Sequence, residues 1–198
     1  LVNNAGVEAF RHLHELSVED IARTVQINLT GALQLSRLVI PHMLPQRWGH
    51  IVNMSSTAGK HGPPFGSVYA ATKAGLIAAT QSLRVEYRSA GIRATAICPG
   101  FTQSGGIYDR IQTALGRETP RVIGGTTAEA VARATIRAIR KDQPEVILNS
   151  PPMRPFFAAA AVFPCLGEYL LRKFALRYFR QVANSAVENE RHAIPRRD

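Results

Sequence analysis

The sequence of 198 residues is poor in cysteine, in acidic side chains and in long apolar runs. Its two cysteines cannot form a disulfide framework, and Cys98 lies in an apolar segment, so we expect reduced thiols in a cytoplasmic protein. The apolar stretch 156–164 is shorter than the roughly 20 residues that cross a bilayer. No third ligand accompanies His12 and His14 at a metal-binding spacing, so we expect no metal site.

Acidic residues are outnumbered, with 14 Asp and Glu against 24 Lys and Arg, which gives a formal net charge of +10. A basic balance of this kind suits nucleic acid, a membrane surface or anionic ligands. The excess lies mainly after Arg110, spread over predicted helices and without a nucleic-acid-binding motif. We therefore interpret the charge as solvated helix faces and expect no nucleic-acid partner.

The stretch from Ser56 to Lys73 carries most of the chemistry. The apolar run Ile51–Met54 predicts a buried strand, and a Gly/Pro-rich loop then leads into a helix near Ser67. On that helix Tyr69 and Lys73 are one turn apart and share a face. A nearby ammonium favours the phenolate, so we expect Lys73 to lower the pKa of Tyr69. With Ser56 holding a substrate oxygen, this set is typical of proton transfer at a carbonyl or alcohol.

Further segments accompany this stretch in a fixed order. Asn3-Asn4-Ala5-Gly6 ends the first predicted strand, Asn28 interrupts the apolar face of the next helix, and Pro99-Gly100 follows a third strand. Ser56 stands thirteen positions before the tyrosine of Tyr-x-x-x-Lys. From residue 1 to about 149, the chain resembles the compact, single-domain branch of the short-chain dehydrogenase/reductase family.

The resemblance implies an NAD(P)-dependent oxidoreductase that interconverts an alcohol and a carbonyl. Tyr69 would be the general acid/base, Lys73 would lower its pKa and hold the ribose, and Ser56 would bind the reacting oxygen. Asn28 would anchor a water that links Lys73 to solvent. The cofactor, NAD or NADP, would contact the turns after the first and third predicted strands as well as Tyr69 and Lys73. The residues implied are Asn4, Ala5, Gly6, Tyr69, Lys73, Pro99, Gly100 and Thr102. Many relatives have a threonine where this chain has Ser104, so the contact expected there is different.

A Gly-rich phosphate-binding turn between a strand and a helix is missing, although dinucleotide folds begin with one. The sequence opens in a strand, without an initiator methionine or a signal-peptide pattern. We therefore expect the chain to be the C-terminal portion of a longer protein, lacking about three βα units, on the order of 80 residues. The fragment alone would then be inactive. The choice between NAD and NADP depends on the part that is missing.

The order of elements predicts an α/β fold, namely a partial, doubly wound, Rossmann-like parallel sheet with helices after it. Predicted strands cover 1–5, 50–54, 93–98 and 145–148, and predicted helices cover 17–43, 67–90, 108–115 and 126–141. The segment from Phe101 to Gly125 is expected to cover the substrate. In the family, the two long helices form the usual dimer face, so the resemblance implies a homo-oligomer.

The tail differs from the family pattern, so we divide the chain into an incomplete catalytic domain, 1–149, and a proline-rich linker with a basic helical tail, 150–198. Residues 168–182 predict one basic amphipathic helix. Two interpretations remain open for 156–182. One is peripheral membrane contact, which suits a hydrophobic small-molecule substrate; the other is packing over the substrate mouth or against another subunit. Packing is favoured because most amphipathic helices cover a core.

Two alternatives to a short-chain oxidoreductase remain open. A non-catalytic binding or membrane-surface protein can retain the same scaffold. A sugar-nucleotide epimerase or dehydratase shares Tyr-x-x-x-Lys, but the Asn-Asn-Ala-Gly turn and the short chain after the last predicted strand argue against it.

Overall fold

The computed structural model describes residues 1–8, 10–103, 112, 116, 120 and 123–193, with side chains to residue 185. Within these ranges a four-stranded parallel sheet forms the centre, in the spatial order β1-β2-β3-β6. The strands are β1, β2, β3 and β6, at Val2–Asn3, Gly49–Met54, Ile92–Pro99 and Glu145–Leu148. A separate parallel pair is formed by β4, Thr102–Gln103, and β5, Thr126–Thr127. The predicted α/β fold with a parallel sheet is confirmed.

Helices cross over between the strands, as parallel pairing requires. Between β1 and β2 lie α1, Val18–Val25, and α2, Gly31–Met43. Next come α3, Ser67–Glu86, before β3, and α4, Ala128–Arg140, before β6. Two of these helices begin at a capping side chain: Ser17 accepts a hydrogen bond from the amide of Asp20, and Thr127 accepts one from the amide of Ala130.

The predicted helix 17–43 has the right extent, but it is not a regular α-helix. Residues Gln26–Thr30 form a π-helical turn between α1 and α2, and Asn28 lies inside it. The predicted helix 67–90 is also divided, because α3 ends at Glu86 and a short 3-10 turn follows at Arg88–Ala90. Gly91 then adopts a left-handed conformation with φ of 81°, which glycine accepts without steric cost.

The sheet core is built from the branched and small side chains that the strand pattern predicts. Ile51, Val52 and Ile97 are almost completely buried, and Ala138 from α4 closes the layer over them. Cys98 is buried beside Ile77 of α3, as expected for a core thiol. These contacts fix the carboxyl ends of β1, β2 and β3 next to one another, which is where parallel sheets bind ligands.

The tail forms three helices: α5, Arg154–Val162; α6, Pro164–Phe174; and α7, Leu176–Ala193. The prediction of one helix over 168–182 is wrong, because the chain breaks at Ala175 between α6 and α7. A buried apolar cluster explains the break: Ala175, Tyr178 and Phe179 turn inward against Phe10. No helix in the described part of the chain is both long and apolar enough to cross a bilayer.

The segment predicted to cover the substrate, 101–125, falls largely outside the described residues. The predicted helix 108–115 has only Gln112 described, and Ser104 is not described. These two predictions therefore stay untested.

Candidate active site

Ser56 lies just past the carboxyl end of β2, in extended backbone conformation. Its hydroxyl accepts a hydrogen bond from the amide of Ala58 at 3.1 Å and donates to the carbonyl of Pro99 at 3.4 Å. The first bond starts a 3-10 turn at Thr57–Gly59, and the second ties the residue to the end of β3. Ser56 is thereby held between two neighbouring strand ends.

Tyr69 and Lys73 lie one turn apart near the start of α3. The Lys73 ammonium is 5.6 Å from the centre of the Tyr69 ring and donates a hydrogen bond to the carbonyl of Met54 at 2.8 Å. The Ser56 side chain is close enough to the Tyr69 hydroxyl to lower the pKa of the phenol, and all three side chains line one cavity. The three predicted side chains are therefore brought together at one place.

The pKa of Tyr69 differs from the prediction. Burial raises it to about 12, against a smaller lowering by the hydrogen bond with Ser56 and a further rise from the charge of Glu8. The predicted lowering of this pKa by Lys73 is wrong for the protein without ligands. The physical reason is the apolar cluster around the phenol, with the ring of Phe10 at 5.9 Å, since a phenolate is poorly stabilised there. At neutral pH the phenol keeps its proton.

Burial lowers the pKa of Lys73, whereas it raises that of Tyr69, because for a lysine it disfavours the charged ammonium. It lowers the pKa of Lys73 to about 8. The side chain is only 3% exposed. At neutral pH the lysine remains mostly charged, and its hydrogen bond to Met54 offsets part of the lost hydration.

The amide of Asn28 is buried and fully paired with protein atoms. It accepts from the amide of Val7 and donates to the carbonyl of Val7, both at 2.8 Å, and it donates to the Thr72 hydroxyl at 3.2 Å. Asn28 thus joins the loop after β1 to α3. The predicted relay water remains a prediction. The π-helical turn around Asn28 was not predicted; such turns are frequent at functional sites.

The turn after β1 lies beside Lys73. Asn4 and Ala5 are exposed, whereas Gly6 is packed so closely that a Cβ there would be 3.3 Å from the Lys73 nitrogen. Asn3, which the sequence analysis did not single out, is buried, and its amide donates to Asn53 of β2 at 2.8 Å. A polar residue at an inward strand position was the signal for it.

The turn after β3 forms another wall of the site. Pro99, Gly100 and Thr102 line the same cavity as Ser56, Tyr69 and Lys73. The hydroxyl of Thr102 donates to the carbonyl of Gly100 at 3.2 Å, which stiffens the turn. The predicted cofactor-contacting residues are therefore distributed over the ends of β1 and β3, on either side of Lys73.

The cavity has a volume of about 470 Å³. Ser56, Tyr69 and Lys73 line it together with side chains of the tail helices. The tail contributes apolar side chains, which the sequence could not assign to the cavity: Met153, Phe156, Phe157, Leu170, Leu171, Phe174, Ala175 and Phe179. Of the two interpretations of the tail, the arrangement favours packing over the site. In the described part of the chain, no cluster of three His, Cys, Asp or Glu side chains is suited to hold a metal ion.

The sequence profile of short chain dehydrogenases matches residues 1–113, more than half of the chain. The chain belongs to the short-chain dehydrogenase family. This short-chain dehydrogenase is 34% identical over 186 residues to ketoacyl reductase HetN from Nostoc sp., covering 91% of this chain and 63% of that protein. It is 39% identical over 104 residues to the 3-oxoacyl-[acyl-carrier-protein] reductase FabG from Thermotoga maritima, covering 52% of this chain and 42% of that protein.

Solved structures with the same fold include other dehydrogenases. The short-chain dehydrogenase described here aligns with NAD⁺-bound xylitol dehydrogenase at a TM-score of 0.64 and 24% identity, over 75% of this chain and 66% of that one. It aligns with serine dehydrogenase from Escherichia coli at 0.61 and 28% identity, over 74% and 61% of the two chains. The chain thus spans less than two thirds of the length of the curated relatives it matches.

Proposed function

We propose that the protein is an NAD(P)-dependent oxidoreductase that interconverts a carbonyl and an alcohol. One observation carries this proposal: the side chains of Ser56, Tyr69 and Lys73 meet on one cavity wall, at the carboxyl ends of parallel strands. A hydroxyl, a phenol and an ammonium that line the same cavity can supply the oxygen ligand, the proton donor and the charge that carbonyl reduction requires.

The residues around Lys73 fit a nicotinamide cofactor, either NAD or NADP. Asn4, Ala5 and Gly6 leave an exposed strand end next to the ammonium, and the Pro99-Gly100 turn with Thr102 faces the cavity. Lys73, charged at neutral pH, would bind a ribose hydroxyl, and Tyr69 would contact the same sugar. When bound, the nicotinamide supplies the hydride. The NAD⁺ in the xylitol dehydrogenase structure supports this choice of cofactor.

In the reducing direction Tyr69 would donate its proton to the substrate oxygen, while Ser56 holds that oxygen by a hydrogen bond. The pKa of about 12 keeps the phenol protonated at neutral pH, so the residue starts in the form that a proton donor needs. Lys73 would stabilise the phenolate that forms, and Asn28 would anchor the water that returns the proton.

Tyr69→Phe in the complete protein tests this function. The change removes the proton donor and one hydroxyl, so we expect turnover to fall by a factor of roughly 10² to 10⁴ while cofactor affinity is nearly unchanged. Tyr169→Phe is the matched control, because Tyr169 on α6 is 56% exposed and does not line the cavity. Retained turnover in Tyr69→Phe would refute the role of this residue.

The non-catalytic alternative receives support from a surface on the tail. Large apolar side chains are exposed on α5 and α6, namely Val162, Phe163, Leu166, Tyr169 and Phe174. Arg172 and Lys173 lie beside them, and basic side chains next to apolar ones suit an anionic membrane surface. We propose this surface, within 156–182, as a peripheral membrane contact of the helical tail 150–198. Vesicles with anionic lipid should bind the protein more strongly than neutral ones; equal or absent binding to both excludes it.

A homo-oligomer is the third part of the proposal. Leu33, Leu35 and Leu38 on α2 and Val85 on α3 are all 40% exposed or more, on the two helices that form the dimer face in the family. Sedimentation of the protein should therefore give a mass at least twice that of one chain. Replacement of Leu38 by Arg should lower that mass, and a monomer in the unaltered protein would contradict this.

A further inference from the structure

We infer that the substrate is a neutral molecule in which the reacting carbonyl or alcohol is attached to a long apolar chain or ring system. The inference rests on the proposed function, since it assigns the substrate of the same site. Three observations support this inference: the apolar side chains that the tail contributes to the cavity wall, the charged side chains in the cavity, and the volume of the cavity.

The part of the cavity wall that the tail provides is apolar. Phe157 from α5, Leu170 and Leu171 from α6, and Phe179 from α7 all line the cavity. Tail residues pack from here against Phe10 and Tyr69, so that the apolar surface runs without a break to the phenol. An apolar substrate body gains free energy by covering such a surface, whereas a polar body would lose its hydration there.

The polar side chains on the cavity wall are mostly committed to protein partners. Asn149 donates to the carbonyls of Ile123 and Pro151 at 3.1 and 2.9 Å, and Lys73 donates to that of Met54. The described residues that line the cavity include one lysine, Lys73, and one histidine, His61, but no arginine, aspartate or glutamate. A carboxylate or phosphate held among the tail side chains would therefore have no lysine or arginine beside it, which is costly away from water.

The size of the cavity is ordinary for a ligand site. At about 470 Å³ it lies within the range of about 300–1,000 Å³ that is usual for such sites. Both Gly100, beside the proposed nicotinamide position, and Leu170 on α6 line it. The part of the cavity that the tail helices line, here called the binding arm, is therefore available to the rest of a substrate whose reacting carbon is held by Ser56 and Tyr69.

The test measures binding without turnover, by calorimetry of straight-chain secondary alcohols with five to ten carbons on the complete protein without cofactor. We expect the dissociation constant to fall roughly threefold for each added methylene, because each one leaves water for an apolar wall. The heat capacity of binding should become more negative with length. Affinity that does not change with chain length would overturn the inference.

Leu170→Arg locates the binding arm. A guanidinium in the binding arm should raise the dissociation constant of the ten-carbon alcohol by about tenfold or more. The dissociation constant of the five-carbon alcohol should change by no more than about twofold. Leu166→Arg is the matched control, since Leu166 lies one turn away on the same helix, is 43% exposed and does not line the cavity. Equal loss for short and long alcohols in Leu170→Arg would contradict the proposed arm. Should Leu170→Arg fail to fold, Leu170→Trp fills the arm and should weaken only the long alcohols.

Failure of this inference is distinguishable from failure of the proposed function. The alcohol series reports binding alone, so its outcome is independent of the turnover of Tyr69→Phe. If affinity rises steeply with chain length and Tyr69→Phe retains turnover, the substrate class stands and the role of Tyr69 as proton donor is refuted. If affinity does not depend on chain length and Tyr69→Phe loses turnover, the role of Tyr69 stands and the substrate class is refuted.

Discussion

Burial shifts the pKa of Tyr69 and that of Lys73 in opposite directions, and each shift keeps the residue closer to its neutral form. The apolar tail surrounds the phenol, and the packing of α3 against β2 encloses the ammonium. Burial therefore disfavours the phenolate of Tyr69 and the ammonium of Lys73, and it makes the charge of the site depend on how the tail and α3 pack.

The pH dependence of stability tests the burial of Lys73. Its pKa is about 8 in the folded protein and 10.5 in its ordinary state. Between these values the unfolded chain binds more protons than the folded one, so stability rises as the pH rises through this window. From about pH 7.5 to about pH 9.5 the expected gain from this residue is about 2 kcal/mol.

Urea unfolding of the protein and of Lys73→Met at both pH values measures this contribution. The variant lacks the titrating group, so the difference between the two proteins isolates it from other groups. The increase in unfolding free energy from about pH 7.5 to about pH 9.5 should be about 2 kcal/mol smaller in Lys73→Met than in the unaltered protein. Equal pH dependence in both proteins would show that the ammonium is not buried.

At the level of single residues, the sequence predicted which side chains meet and missed their electrostatics. Tyr69 and Lys73 share a helix face through local spacing, and the strand before Ser56 brings that hydroxyl to them. The raised pKa of Tyr69 depends on Phe10 and Phe179, which are distant in sequence. No local pattern indicates that contact, so only the packed structure supplies it.

At the level of elements, the 3-10 turn after Ser56 packs directly on the backbone of α3. A Cβ on Gly59 would lie 2.6 Å from the carbonyl carbon of Lys73 and 2.7 Å from its oxygen. Backbone cannot move aside as a side chain can, so Gly59→Ala should destabilise the protein by about 1–3 kcal/mol. The displacement would also separate Ser56 from α3, so turnover should fall as well.

Gly62→Ala is the matched control in the same loop. A Cβ there would be 3.5 Å from the Cβ of Ala70, which is an ordinary contact. Its unfolding free energy should stay within about 0.5 kcal/mol of the unaltered protein. Equal destabilisation by the two substitutions, measured by urea unfolding, would mean that the close approach at Gly59 has no special effect.

Regular elements were predicted well where periodicity and capping residues agree. The strand β6 and the helix α4 have nearly the predicted limits because their local signals are strong. The π-helical turn at Asn28 and the break at Ala175 were missed. Both depend on tertiary contacts, namely the pairing of Asn28 with Val7 and the burial of Ala175 against Phe10.

At the level of the whole molecule, side chains of the tail line the cavity that Ser56, Tyr69 and Lys73 also line. Phe179 on α7 is 6% exposed and stacks on Phe10 and Phe101, with ring centres 5.6 and 6.0 Å apart. Phe179→Ala should cost about 3–5 kcal/mol of stability through the cavity it leaves. Water would then reach the phenol, so the pKa of Tyr69 should fall from about 12 towards its ordinary value of 10.0.

Phe163→Ala is the control for the tail, because Phe163 is 61% exposed and does not line the cavity. This substitution should lower the unfolding free energy by about 1 kcal/mol or less. Unfolding in urea gives the stability, and the carbon resonances of labelled tyrosine rings give the pKa. An unchanged pKa of Tyr69 in a folded Phe179→Ala protein would mean that the tail does not control the polarity of the site.

The most direct measurement is a crystal structure of the complete protein with reduced cofactor and a long-chain secondary alcohol. We predict that the alcohol oxygen lies about 3 Å from both the Ser56 and the Tyr69 hydroxyls, with its chain against Leu170. Lys73 should be within hydrogen-bonding reach of the ribose. An alcohol oxygen bound away from Ser56 and Tyr69, or a cofactor out of reach of Lys73, would contradict the proposed chemistry.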